Sequence, residues 1–121
     1  MVTCVLDEEV FDRLAVDLAS HADAFHFLAS FELLLDARIE RIGRALELQD
    51  REEVETALLS LQAGAAMAGA TQLAVTATRA LAHHTVETAP RGPLLRQLEG
   101  KAALFRNALV DLQRRRITSA A

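Results

Sequence analysis

Histidine is the side chain of this sequence best suited to acid–base, metal or phosphoryl chemistry, and four occur: His21, His26, His83 and His84. His21 and His26 are five positions apart, which does not place two metal ligands on one helix face. His83 and His84 are adjacent, so their side chains point in different directions on a helix. We expect all four to be structural, and the least favoured alternative is an enzyme that uses His83 or His84.

The other nucleophiles and acids form no catalytic pattern. Ser60 and Thr56 have no base at a telling spacing, and the sequence contains no Gly-x-Ser-x-Gly, phosphate-loop or metal-binding run. Glu52 and Glu53 are sequence neighbours, so their carboxylates diverge on a helix instead of meeting as an acid and a base. Cys4 is the single cysteine and cannot form an internal disulfide. The sequence therefore predicts no enzyme, no cofactor and no metal site.

The most informative stretch runs from Ala57 to Ala70 and reads ALLSLQAGAAMAGA. Upstream of it, Asp50 precedes Glu53 by three residues, which is the spacing of a capping box. We expect a helix to begin there and to end or bend at Gly69. Its core face is predicted from helical spacing to consist of Val54, Leu58, Leu61, Ala65 and Ala68.

This stretch resembles the phosphoryl-accepting helix of histidine-phosphotransfer (HPt) domains. In that family, a histidine accepts a phosphoryl group from the aspartate of a receiver domain and donates it back. When the stretch is aligned on Ser60–Leu61 and Gly69–Ala70, Leu59 stands at the histidine position. Gln62 replaces the lysine of the family, and Ala63 replaces its glycine. Because a leucine side chain has no nucleophilic atom, phosphoryl relay at this position is chemically impossible.

The resemblance extends beyond the motif helix. A phenylalanine-containing stretch with an Arg-Ile pair precedes the motif, a spacer ends in Asp50, and a leucine follows the Gly-Ala pair. The matching positions are Phe27–Leu28, Phe31, Arg38–Ile39, Ile42 and Leu73. The resemblance implies a pseudo-HPt protein that binds a response-regulator receiver domain or a histidine kinase without carrying phosphate.

Leu59 is predicted to lie on the outer side of the motif helix. At about 100° per residue, it falls roughly 140° from the centre of the core face. The same side carries Glu52 and the residues of a candidate docking surface, which are Glu55, Leu59, Gln62, Ala63 and Ala66. One interpretation is a partner-binding face on which Leu59 acts as an apolar anchor. The other is a lone exposed leucine on a relic without a partner.

The elements that position this face are predicted from capping signals and apolar periodicity. Helices should begin near Asp7, Asp23, Asp50, Thr71 and Pro93. The second helix should follow a break at residues 21–23 and reach about Gln49, and a loop at residues 89–93 should precede the last helix. The predicted core faces of the other helices are Phe11, Leu14 and Leu18; Phe27, Phe31, Leu34, Leu35, Ile42 and Leu46; Leu73, Ala77, Ala80 and Leu81; and Leu95, Leu98, Ala102, Phe105, Leu109 and Leu112.

Composition bounds the fold class. Of the 121 residues, 51% are hydrophobic but only 4% aromatic, and alanine and leucine, both strong helix formers, dominate. We therefore predict one all-α domain spanning residues 1–121. Its expected architecture is an antiparallel four-helix bundle with a short N-terminal capping helix.

Charge and hydropathy exclude several partner classes. A net charge of −4 argues against nucleic acid, and the basic run 114–116 is expected to favour the negative end of the last helix or to form a solvated tail. No apolar run approaches the ~20 residues that span a bilayer, and no basic segment of a signal peptide is visible at the start. We expect a cytoplasmic protein. The alternative function is a helical-bundle scaffold or oligomerisation protein unrelated to phosphorelay; the oligomeric state stays open.

Overall fold

The structure is a computed structural model that describes residues 4–83 and 91–120. These residues form five helices and no strand, so the all-α prediction is confirmed for this part of the chain. The helices are α1 (Glu8–Leu18), α2 (His21–Glu47), α3 (Arg51–Ala68), α4 (Thr71–His83) and α5 (Arg91–Ala120). His84 and the first two residues of the predicted loop at residues 89–93 lie outside the described residues. The prediction of a loop is wrong for residues 91–93, which form the first turn of α5.

Two of the predicted helix caps are confirmed in atomic detail. The side chain of Asp7 accepts a hydrogen bond from the backbone N–H of Glu9 at 3.0 Å, at the start of α1. The side chain of Asp50 accepts one from the backbone N–H of Glu53 at 3.1 Å, at the start of α3. Each bond satisfies one of the first backbone donors of its helix, which have no partner within the helix.

α2 begins two residues before Asp23, within the predicted range, but Asp23 is not its cap. Ser20 caps this helix, and its Oγ accepts from the backbone N–H of Asp23 at 3.0 Å. The break lies at Ala19 and Ser20, because Ala19 adopts a left-handed conformation with φ 55° that closes α1. Asp23 lies in the first turn of α2 instead, where its negative charge suits the positive end of the helix dipole.

Two further starts shift by one or two residues. Thr71 was expected to cap α4 and is instead its first helical residue. Its backbone N–H donates to the carbonyl oxygen of Gly69 at 2.9 Å. Pro93 is the third residue of α5, which begins at Arg91. Proline is tolerated there because the first helical N–H groups have no carbonyl partner within the helix.

Each helix buries one face against its neighbours. The core faces predicted for α3 and for most of α5 are confirmed, since Val54, Leu61, Leu98 and Phe105 are all buried. On α2 the prediction is partly wrong because Leu34 is 51% exposed. The core positions of α2 are Ala24, Leu28, Phe31, Leu35, Ile39, Ile42, Ala45 and Leu46. Leu18 of α1 is likewise exposed, and Leu14, Phe27, Ala80, Leu81 and Leu95 are only partly buried.

Helix contacts close a ring around this core. α2 packs against α3 and α5, α4 packs against α3 and α5, and α1 adds to α2 and the end of α3. Phe31 of α2 and Phe105 of α5 meet edge to face with ring centroids 5.4 Å apart, a favoured geometry for aromatic pairs. The arrangement is compatible with a helical bundle.

The basic run 114–116 lies on α5 and forms ion pairs with acids of α1, so it is not simply a solvated tail. Arg115 binds the carboxylate of Glu8 at 2.8 Å, and Arg116 binds that of Asp12 at 2.8 Å. The guanidinium of Arg116 also lies 5.3 Å from the ring centroid of the buried Phe11. These acids lie on α1, which explains why the run is held against the protein.

Candidate functional site

The outer side of α3 presents the predicted apolar face. Leu59 is 48% exposed, and Ala63, Ala66 and Glu55 are exposed as well. The prediction that Leu59 lies outside the core is therefore confirmed. Because alanine side chains end at Cβ, Leu59 stands above its neighbours one turn and two turns further along the helix.

Both ends of α3 are capped, so the helix that carries this face has defined boundaries. Asp50 caps its N-terminus, and Gly69 ends it in the left-handed region with φ 75°. The N–H of Ala70 donates to the carbonyl oxygen of Ala65 at 2.8 Å, which closes the C-terminal turn. The helix is unbroken from Arg51 to Ala68, and Leu59 lies near its middle.

The expected capping box at the start of α3 is only half formed. Asp50 makes its bond, but the carboxylate of Glu53 binds the guanidinium of Arg41 on α2 at 2.9 Å with both oxygens engaged. This hydrogen bond holds the pKa of the Glu53 carboxyl below its ordinary value. Glu53 therefore joins α3 to α2 and does not contribute to the outer face.

Gln62 differs from the other predicted site residues because its amide is already engaged. Its Nε2 donates to Oγ1 of Thr78 on α4 at 2.7 Å, and that hydroxyl donates in turn to the carbonyl oxygen of Ala74 at 2.8 Å. The side chain is only partly exposed and forms the border between α3 and α4. The bond therefore joins α3 to α4 at the edge of the predicted docking surface.

On the opposite flank of α3, Gly64 makes room for Arg38 of α2. A Cβ atom at position 64 would overlap Nη1 of Arg38 and lie 3.3 Å from Cε1 of Phe31. The guanidinium of Arg38 lies 5.8 Å from the centroid of the Phe31 ring, and its Nη1 is buried without a hydrogen-bond partner. Sequence reasoning identified Arg38 only as part of the family pattern and Phe31 as part of that pattern and of the core face, and it missed their contact with Gly64.

Met67 is an exposed residue of α3 that the sequence analysis did not assign to the site. Its side chain is 60% exposed, more than that of Leu59. It follows Ala63 by four residues, so it lies one helical turn beyond that alanine on the same flank. The sequence carried a signal for it, since a residue four positions after Ala63 lies on the same side of a helix.

The charged residues of the outer face are acidic. Glu52 and Glu55 are exposed near the N-terminal end of α3, one or two turns before Leu59. Arg51 is the only cation in the sequence of α3, and it precedes Leu59 by eight residues, or about 12 Å along the axis. The face thus combines an apolar centre with a negative end.

None of the four histidines belongs to α3, which carries this face. His21 and His26 are exposed on α2, and the ring of His21 lies 6.1 Å from that of Phe11. His83 is exposed at the last position of α4, whereas His84 lies outside the described residues. Within residues 4–83 and 91–120, no three His, Cys, Asp or Glu side chains are grouped to hold a metal ion.

A concave region, separate from the outer face of α3, lies between α2 and α5. It encloses about 400 Å³ and is lined by Asp36, Ile39, Glu40, Leu95 and Glu99. One of its three acids is already paired, because Asp36 binds the guanidinium of Arg106 together with Glu32. We find no catalytic or ligand-binding arrangement there.

No helix in the described part of the chain combines the length and the apolar character needed to cross a membrane. Comparison with protein-family models, with curated proteins and with solved structures finds no match to this chain.

Proposed function

We propose that this chain is a non-catalytic pseudo-HPt protein that binds a receiver domain or a histidine kinase of a two-component phosphorelay without carrying phosphate. It would act in the cytoplasm, either by competing with active relay partners or by holding a signalling complex together. The proposal rests on the resemblance in sequence and on the face of α3 that the resemblance singles out.

The single observation that carries the proposal is the exposure of Leu59. Leucine side chains are normally buried, yet this one is 48% exposed in the middle of an unbroken helix. It stands at the position of the phosphoryl-accepting histidine, with small residues at Ala63 and Ala66 that allow a partner to approach the helix closely. A large apolar side chain surrounded by small ones is suited to anchor an interface.

The finer architecture belongs to the same proposal. We propose that α2 to α5 form an antiparallel four-helix bundle and that α1 caps it. The connections of three residues before α3 and two residues before α4 support this arrangement, because so short a link brings the next helix back beside the previous one. The ion pair of Arg41 with Glu53 and the hydrogen bond of Gln62 with Thr78 each join such neighbouring helices.

The direct test has a binding arm and a chemical arm. The full chain is titrated by calorimetry against purified receiver domains and kinase dimerisation domains encoded in the same genome. Saturable binding to one of them supports the proposal, and no binding to any of them refutes it. In the second arm, a phosphorylated receiver is incubated with the chain, and acid-labile label on the chain would refute the non-catalytic role.

The alternative is a scaffold or oligomerisation protein outside phosphorelay. Two exposed leucines on α2 favour it, since Leu33 is 78% and Leu34 is 51% exposed. Adjacent leucines in water on the surface of a bundle are a feature of helical interfaces. Analytical ultracentrifugation at about 100 μM protein tests this alternative, because a dimer with a Kd on the order of micromolar would be populated at that concentration. A protein that remains monomeric there contradicts self-association.

A further inference from the structure

We infer that the outer face of α3 discriminates against a phosphorylated receiver domain and binds the unphosphorylated form more tightly. This inference rests on the proposed function and adds the state of the partner that the face selects. It follows from the distribution of charge around Leu59.

The geometry of phosphoryl transfer fixes what lies opposite Leu59. Transfer between a histidine and an aspartate requires the two side chains to come within bonding distance of one phosphorus atom. A receiver that docks on this face as it would on an HPt domain therefore places its aspartate against Leu59. Phosphorylation of that aspartate adds negative charge at the centre of the contact.

The residues of α3 around Leu59 offer this charge no stabilisation. The position of the family's lysine is taken by Gln62, whose amide nitrogen donates to Thr78 at 2.7 Å. Arg51, the only cation in the sequence of α3, lies about two turns away. A phosphoryl group would lose water against Leu59 without gaining a cation of this helix in return.

The same face adds repulsion. Glu55 precedes Leu59 by four residues, so the two side chains are neighbours about 5–6 Å apart at Cβ. Glu52 lies one turn further from the centre, and both are exposed. Like charges at such distances repel by an amount that ordinary salt reduces but does not abolish. We therefore expect about three- to tenfold weaker binding to a phosphorylated receiver at low salt.

The experiment measures the affinity of the full chain for the receiver domain that it binds, with and without beryllofluoride and Mg²⁺ to mimic phosphorylation. The expected result is weaker binding of the beryllofluoride form, with a difference that shrinks as NaCl is raised. Glu55→Gln combined with Glu52→Gln should reduce the difference between the two affinities. Glu9→Gln, which changes an exposed acid on α1, should leave the difference intact.

The possible failures are separable. Equal or tighter binding of the beryllofluoride form overturns this inference and leaves the proposed function standing. A preference that the Glu52 and Glu55 substitutions leave unchanged also overturns it, since the discrimination then does not arise from the charge of this face. If neither form of any receiver binds, receiver binding itself is refuted, and this inference with it.

Discussion

Replacement of Gly69 by alanine should destabilise the protein, and the structure shows two reasons. Gly69 has φ 75°, a left-handed conformation that costs an L-residue with a Cβ about 1 kcal/mol. The added Cβ would also lie 2.9 Å from the carbonyl oxygen of Asp7 and 3.2 Å from Cβ of Val10. Since the Asp7 oxygen belongs to the backbone, α1 must shift to relieve the contact.

That shift weakens a hydrogen bond between the same two residues. The backbone N–H of Asp7 donates to the carbonyl oxygen of Gly69 at 2.8 Å, and a bond of this kind contributes about 1 kcal/mol. Backbone strain and the weakened bond together predict a loss of about 2 kcal/mol in the free energy of unfolding. For a domain of this size, that loss lowers Tm by roughly 6–12 °C.

The matched control is Gly100→Ala. Gly100 lies within α5, and a Cβ there meets no atom within 4 Å. Alanine is the better helix former, so this variant should gain up to about 1 kcal/mol. Urea denaturation of both variants, followed by circular dichroism, measures the two changes. A Gly69→Ala variant as stable as the original protein would show that the contact between Asp7, at the start of α1, and Gly69, in the turn between α3 and α4, does not limit stability.

Three further predictions concern charge and chemistry. The pKa of Glu53 is depressed, so its pair with Arg41 stabilises the fold above the ordinary carboxyl pKa of 4.5, and this stabilisation is lost as the pH falls below that value. In Glu53→Gln, the free energy of unfolding in urea should therefore depend less on pH between about 5 and 2, the range in which carboxyl groups titrate. An unchanged pH dependence would contradict the pairing. A phosphorylated receiver should leave no acid-labile label on the chain, and label that disappears on replacing His83 or His84 would show that one of them is an acceptor. Leu59→His should remain a poor acceptor, whereas Leu59→His with Gln62→Lys should accept more label because the added cation favours the phosphoryl group; equal and absent labelling with both folds intact would show that the docking surface itself has diverged.

Much of the fold follows from local patterns in the sequence. The caps at Asp7 and Asp50 were predictable because each precedes acidic residues at a fixed spacing, and the local hydrogen bond needs no tertiary partner. The core face of α3 was predictable because its five apolar positions repeat at helical spacing. These signals depend only on neighbours within one or two turns.

The errors arose where neighbouring candidates compete. Ser20 and Asp23 are both good caps, and the choice between them depends on Ala19, whose left-handed conformation ends α1 just before Ser20. Leu34 and Leu35 are equally apolar, but their side chains point about 100° apart around the helix, and here only Leu35 is buried. The packing of α2 against α3 and α5 selects Leu35, and this information is not local to the sequence.

The site was predictable in outline and not in its contacts. The exposure of Leu59 followed from helix geometry alone. The bond between Gln62 and Thr78 joins residues sixteen positions apart, and the fit of Arg38 over Gly64 joins two helices. Such pairs depend on how the helices align against each other, which periodicity within one helix does not determine.

The most direct test of the docking role of Leu59 compares Leu59→Asp with Leu33→Asp in binding to the receiver or kinase domain identified by titration. Both leucines are exposed, at 48% and 78%, so thermal melting should show that neither variant unfolds. We predict that Leu59→Asp weakens binding by about 2–4 kcal/mol, because an unpaired carboxylate is placed at the centre of the interface, and that Leu33→Asp does not change it. Unchanged binding of a folded Leu59→Asp variant would contradict the account.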